Sequence, residues 1–193
     1  GDAKIVGLFD QVKGSASSLT KDLDLIAITT QSIEEFLSIS DLEFVVECAS
    51  PQAVYDHSEK ILSAKKDLLV MSSGAFVSND FTKKLSKLAK SLNLRLIIPS
   101  GALGGIDAIK AVKHELKTVT LTTIKPPRGF KGAPGFKKWQ NTEISKPTTI
   151  FEGTAMEAIK LFPANVNVAA TLGVAGLGSL NTIIKVIADP EAK

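Results

Sequence analysis

Asp10 ends the apolar run AKIVGLF at residues 3–9. In a dinucleotide-binding fold, an acid at the end of the second strand accepts hydrogen bonds from the adenosine ribose hydroxyls and repels the extra phosphate of NADP. Aspartate also ends strands for turn reasons alone. Three further turns follow apolar runs: Ala49-Ser50-Pro51, Ser72-Ser73-Gly74-Ala75 and Pro99-Ser100-Gly101-Ala102. Ligands of open parallel sheets lie beyond the carboxyl ends of the strands, where small residues let backbone approach a flat ring or a pyrophosphate. Taken singly, each turn is better explained as a tight strand-helix connection. Three in consecutive units point to a ligand cleft.

Other residues carry chemistry by type. Gly104-Gly105 before a helix offers free N–H groups and a favourable dipole for an anion such as a substrate carboxylate, with an ordinary helix start as the equal alternative. Lys125, Arg128 and Lys131 are cations in a long loop that can clamp a dicarboxylate; solvated loop residues are the simpler reading. Asn167 sits at a helix start inside an apolar run. A buried amide needs partners, and a carboxamide ring substituent matches it. The competing role for Asn167, shared with Asn165, is a helix cap. Glu47 within FVVEC is expected to be partnered rather than catalytic. His57 and His114 lie in the charged segments DHSEK and KHELK and are expected to face solvent. Cys48 reads as a small buried hydrophobe, since no histidine partner is evident.

The elements that must position these residues follow from periodicity. Apolar runs at residues 3–9, 44–48, 68–71 and 94–98 alternate with helical patterns at 32–39, 51–65 and 80–92. Ser32 and Ser50 are N-cap residues, and Pro51 takes the first helical position. Short apolar strands alternating with helices define a doubly wound, Rossmann-like parallel sheet. After Gly105 a helix runs to about His114. Residues 118–124 (TVTLTTI) then alternate strictly, which predicts a mostly antiparallel sheet with one open face. Residues 125–147 are rich in Pro, Gly and Lys and form a loop. Residues 149–152 and 182–188 are further strands, with helices at 154–162 and 166–175. The fold class is therefore α/β in two parts, 1–100 and 101–193.

Composition limits the function. The chain has 193 residues, 44% hydrophobic and 22% charged, with a net charge of +3. The basic residues are dispersed, so no nucleic-acid partner is expected. A single cysteine precludes an intrachain disulfide and fits a reducing, cytoplasmic compartment. No signal peptide or membrane span is visible, and the run at 166–180 is too short to cross a bilayer. No metal site is expected. Both ends abut strands, so both are expected to be cuts.

The segments VVECASPQAV, LLVMSSGAF, PSGALGGIDAI, IFEGTAMEAIKLFPANVNVAATLGVAG and VIADP run in order along nearly the whole chain. Together they resemble the L-aspartate dehydrogenase family, most specifically through FEGTA…FPANVNVAA. The resemblance implies a nicotinamide-binding domain followed by an α/β domain that supplies the active site and a homodimer interface. It implies oxidation of L-aspartate to iminoaspartate with NAD or NADP, the imine going on to oxaloacetate and ammonia or to pyridine-ring synthesis. By motif it makes Ala102 and Asn167 cofactor contacts on the nicotinamide side. It makes Ala49, Ser50 and Ser72 strand-end contacts, and Asp10 the ribose ligand. Gly104, Gly105 and Lys125 are the candidates for the substrate carboxylates. The family's glycine-rich turn is expected ahead of Gly1 and its active-site histidine beyond Lys193, so no catalytic residue is assigned within the chain and little turnover is expected of it alone. The rivals are a homoserine-dehydrogenase-like or dihydrodipicolinate-reductase-like oxidoreductase, against which FEGTA…NVNVAA argues, and a non-catalytic dimerising scaffold.

Overall fold

The computed structural model describes residues 3–163 and 166–192. In its first half, three-residue strands β1 (Gly7–Phe9) and β2 (Ile28–Thr30) pair in parallel. They flank α1 (Ser15–Asp22), and α2 (Ile33–Leu37) packs on both. Next come β3 (Phe44–Glu47), α3 (Pro51–Ser63), β4 (Asp67–Val70), α4 (Asn79–Ser91) and β5 (Leu96–Ile97), whose strands make a second parallel sheet in the order β3-β4-β5. The α/β alternation and the parallel direction match the sequence reading. The parallel strands form two sheets among the described residues rather than one continuous sheet.

Two helices start where the sequence places their caps, at Ser32 and Ser50, and Ser78 caps a third that the sequence reading began at Asp80. Ser32 Oγ accepts from the Glu35 N–H, Ser50 Oγ from Ala53 N–H and Ser78 Oγ from Phe81 N–H, each satisfying a donor that the first helical turn leaves open. The apolar faces of α3 and α4 then bury Val54, Ile61, Leu62, Leu85 and Ala89 against Leu68 and Val70 of β4. This core also takes in Phe36, Ile39 and Phe76, and fixes the strand ends relative to one another.

The second half contains α5 (Ile106–Ala111), β6 (Val119–Lys125), β7 (Thr148–Thr154), α6 (Ala155–Leu161), α7 (Val166–Ala175) and β8 (Thr182–Ala188). Its sheet runs β6-β8-β7 and is mixed: β7 is antiparallel to β8, but β6 is parallel to it. The expectation of a mostly antiparallel sheet is therefore met by one pairing of two. Strict alternation in TVTLTTI reports one buried and one open face, and the structure shows that face pattern; it carries no information on strand direction. Residues 125–147, expected as an open loop, contain 3-10 turns at Pro127–Phe130 and Pro134–Trp139. Phe130 and Phe136 are buried there against Phe162 and Ile150.

Candidate functional site

Asp10 follows β1 directly and lines a cleft of about 420 Å³ with Gly14, Ser17, Thr29, Thr30 and Gln31. One carboxylate oxygen of Asp10 accepts the Val12 N–H at 2.7 Å. Among the described residues the other oxygen takes no hydrogen bond, and it is available to a ligand. The buried hydroxyl of Thr30, on the neighbouring strand, has no partner there either. A buried polar atom left unpaired is costly, and a group rich in hydroxyls and acceptors suits this cleft. Thr30 was missed in the sequence because it ends a strand of only three residues, after the apolar run at 25–28.

The turns after β3 and β4 converge on Glu47, the last residue of β3. Its Oε1 accepts from the N–H groups of Ala49 at 2.8 Å and Ser50 at 3.0 Å, and from Ser72 Oγ at 2.8 Å. Its Oε2 accepts from the Ser72 N–H at 3.1 Å. Glu47 is thus partnered, as its place in an apolar strand suggests. Ala49, Ser50 and Ser72, three expected cofactor contacts, are brought together, with their backbone donors turned towards this carboxylate.

Ser73 and Gly74 continue the turn and meet α7 from the second half. Ser73 Oγ donates to the Asn167 carbonyl at 3.0 Å and accepts from Thr171 Oγ1 at 2.9 Å. The Gly74 N–H donates to Asn167 Oδ1 at 2.9 Å. Tyr55 Oη donates to the Ala75 carbonyl, Thr82 Oγ1 to that of Phe76 and Ser179 Oγ to that of Val77. The segment is therefore anchored from β3, α3, α4, α7 and Ser179 beyond the end of α7. Desolvation raises the Tyr55 pKa above its ordinary value.

Asn167 differs from expectation in one respect: it is exposed rather than buried, because α7 begins at Val166 and places it on the outer rim of the first turn. Its role is neither cap nor core. A backbone N–H can only donate, so Gly74 fixes the amide orientation and turns Nδ2 outward with no partner among the described residues. Asn165, the other cap candidate, lies outside the described residues. Ala102 is exposed in the turn after β5, where Gly101 has φ +60°, a conformation that suits glycine.

The substrate-binding candidates fall at two ends of the second sheet. Ala169 shares a core with Ile184, Val186 and Ala188, whereas Leu172 and Ala175, further along α7, share one with Ile106 and Val119. Lys125 pairs with Ala188, at the end of the sheet towards Asn167. Gly104 and Gly105, just before Ile106, belong to the far end. Six residues of β6 separate Val119 from Lys125, about 20 Å at the usual strand rise. The structure does not bring Gly104-Gly105 and Lys125 together.

Two further expectations are corrected. His57 is half-buried, with its ring edge-on to Phe9 and Nε2 3.2 Å from Gln11 Nε2, because α3 packs under the end of β1. Cys48 is exposed, because β3 ends at Glu47 and leaves it in the turn. His114 is exposed as expected. No described helix is long and apolar enough to cross a membrane.

The profile described as "Homoserine dehydrogenase, NAD binding domain" matches residues 3–99, and "Aspartate dehydrogenase, C-terminal" matches 107–193. L-aspartate dehydrogenase of Methanosarcina barkeri is 42% identical over 192 residues, spanning 98% of this chain and 70% of that protein. The corresponding protein of Nitrosopumilus maritimus is 38% identical over 191 residues, with the same coverage. The crystal structure of aspartate dehydrogenase from Thermotoga maritima superposes with a TM-score of 0.74 at 30% identity, over 97% of this chain and 80% of that one. A myo-inositol 2-dehydrogenase from Lactobacillus plantarum, at 11% identity and a TM-score of 0.52, covers 98% of this chain and 63% of its own and shares the fold alone.

Proposed function

The chain belongs to the L-aspartate dehydrogenase family, and we propose from this that it catalyses the NAD(P)-dependent oxidation of L-aspartate to iminoaspartate. The observation that carries the residue assignments is the junction at Ser72–Gly74, where the carboxyl ends of the parallel strands meet α7 of the second half. The N-terminal profile alone leaves a homoserine-type oxidoreductase open; the match over residues 107–193 favours aspartate.

When bound, NAD(P) supplies the acceptor for the hydride that leaves the substrate Cα. The residues around it orient and select. Asp10, with one free oxygen, receives the ribose hydroxyls in the cleft beside Thr30, and its charge disfavours a 2′-phosphate there. Ala49, Ser50 and Ser72 form the strand-end wall, and Ala102 and Asn167 the nicotinamide side. Asn167 presents only N–H donors, so it reads a carbonyl or carboxylate oxygen. Lys125 stands towards the same end of the sheet and is the preferred partner for a substrate carboxylate; the N–H groups at Gly104 and Gly105 are the more distant candidates. The reaction balances when the amine is neutral: its lone pair forms the C=N bond as the Cα hydride departs, and one N–H proton is released. His57 lies under Phe9 and His114 is exposed near α5, so neither stands at the junction. The iminoaspartate then passes to hydrolysis, giving oxaloacetate and ammonia, or to pyridine-ring synthesis.

The two parts, 1–100 and 101–193, are read as the cofactor-binding and the catalytic and dimerising units of a cytoplasmic enzyme with no nucleic-acid or membrane partner. The open face of the β6-β8-β7 sheet presents Thr120, Thr122, Ile124, Ile183 and Ile187 around the Lys185–Glu152 ion pair, a surface suited to a second copy of the chain. The test is reduced-nicotinamide absorbance with excess aspartate and either cofactor at alkaline pH, on a sample whose mass is measured by sedimentation equilibrium. A species of twice 20.5 kDa is the expected mass, and such reduction as occurs is expected with aspartate rather than homoserine. Reduction with homoserine but not aspartate would overturn the substrate assignment.

A further inference from the structure

The Glu47 carboxylate does something that family membership does not assign. Four donors converge on its two oxygens: the N–H groups of Ala49, Ser50 and Ser72, and the Ser72 hydroxyl. Three belong to the backbone of turns that follow two different strands, β3 and β4. Backbone donors at the ends of parallel strands ordinarily form a nest for an anionic ligand. Here an internal anion occupies them. Bonds to a charged acceptor are about twice as strong as neutral ones, and Glu47 is half-buried, so solvent competes poorly for it. The side chain therefore joins the carboxyl ends of β3 and β4 through something other than the sheet ladder.

The clamp is also connected. Ser72 is followed by Ser73 and Gly74, which bond to Asn167 and Thr171 of α7. A polar chain thus runs from the β3 turn, through Glu47 and Ser72, to the helix that presents the Asn167 amide. We propose that Glu47 is a positioning residue for the nicotinamide cofactor, holding the two strand-end turns and the Ser72–Gly74 junction in the geometry that receives it. This rests on the cofactor reading given above. Glu47 does not itself touch the cofactor; its effect passes through Ser72 and the two turns.

Glu47→Gln separates this role from bulk packing. Glutamine keeps the shape and one carbonyl oxygen, so it can still accept from Ala49 and Ser50. Its amide nitrogen cannot accept from the Ser72 N–H, so one of the two bonds to Ser72 is lost while the Ser72 hydroxyl keeps the other. The readouts are NADH affinity by fluorescence titration of the whole chain, amide hydrogen exchange by NMR, and the melting temperature. The expected result is NADH binding weaker by about tenfold, with faster exchange at Ser72 and Gly74 and little change at Ala49. Ser72→Ala removes the hydroxyl bond instead and should give a similar loss, and the double variant more than the sum of the two, because either bond alone still holds the link in part. Glu59→Gln, which removes an exposed partner of Lys84, is the control and should bind NADH as the parent does. Parent-like NADH affinity in Glu47→Gln, or losses in Glu47→Gln and Ser72→Ala that simply add, would overturn the positioning role while leaving the cofactor reading intact. A parent chain that binds no NADH at all would overturn both. If Glu47→Gln fails to fold, Ser72→Ala carries the test alone, and its parent-like affinity would be decisive against the proposal.

Discussion

At the scale of the residue, the amide of Asn167 shows how one hydrogen bond decides the chemistry on offer. Amide oxygen and nitrogen are hard to tell apart by shape, and their orientation is normally inferred from neighbours. The Gly74 N–H removes that ambiguity by requiring an acceptor, which leaves two donors facing outward. Asn167→Asp is then the informative change. One carboxylate oxygen can still accept from Gly74, but the outward donors become an acceptor with a negative charge. NADH affinity should fall by at least about tenfold, or 1.4 kcal/mol, while the melting temperature stays near that of the parent. Fluorescence titration beside thermal melting checks this; equal NADH affinity in the variant would remove Asn167 from the site. The sequence suggested Asn167 from its polar type in an apolar run. Its exposure and its bond to residue 74 depend on where α7 starts and on what packs beside it.

At the scale of the element, the junction between β7 and α6 gives the clearest local code. Thr154 ends the strand and caps the helix, and it forms a reciprocal box with Glu157. Thr154 Oγ1 accepts the Glu157 N–H at 3.2 Å, while Glu157 Oε2 accepts the Thr154 N–H at 2.8 Å. The Thr154 backbone bond, then its hydroxyl, holds the Glu157 pKa below its ordinary 4.5. A depressed folded-state pKa contributes stability above the unfolded value and loses it as pH falls through the lowered one. Thr154→Ala should therefore destabilise the protein by about 0.5–2 kcal/mol near neutral pH. The gap in melting temperature between parent and variant should narrow as pH is taken below 4.5. A gap constant from pH 7 to pH 3 would show that the Thr154 hydroxyl has no part in holding the Glu157 charge, since the variant keeps the backbone bond.

Caps of this kind were legible in the sequence. Ser32, Ser50 and Pro51 mark helix starts within a residue of where they occur, because a cap is a local requirement of the first turn. Strand direction was not legible: residues 118–124 show which face is buried, while pairing with β8, 63 residues further along, decides that β6 is parallel. Strand β2 was missed although Leu25, Ile26, Ala27 and Ile28 form an apolar run, because the strand is three residues long and buries only Thr30. Glu47 was flagged only as an acid in an apolar strand; its four donors come from two turns that the fold alone brings together.

At the scale of the whole molecule, the two halves meet through polar bonds at the Ser72–Gly74 turn, beside the apolar packing of Val174 against the first core. A cofactor reaching from the Asp10 cleft to Asn167 would span that junction and touch residues from both halves. Two other clefts border the same segment, one between α4 and α5 through Thr171 and one lined by Lys83, Lys113 and His114 through Phe76 and Ser179. NADH titration followed by amide chemical shifts distinguishes these places in one measurement. The account predicts saturable shifts at Asp10, Thr30 and Gln31, and in the same titration at Ser72, Ser73, Gly74 and Asn167, with Lys83, Lys113 and His114 unmoved. Shifts confined to the Lys83–Lys113 cleft, or an unperturbed Ser72–Gly74 turn under saturating NADH, would contradict it.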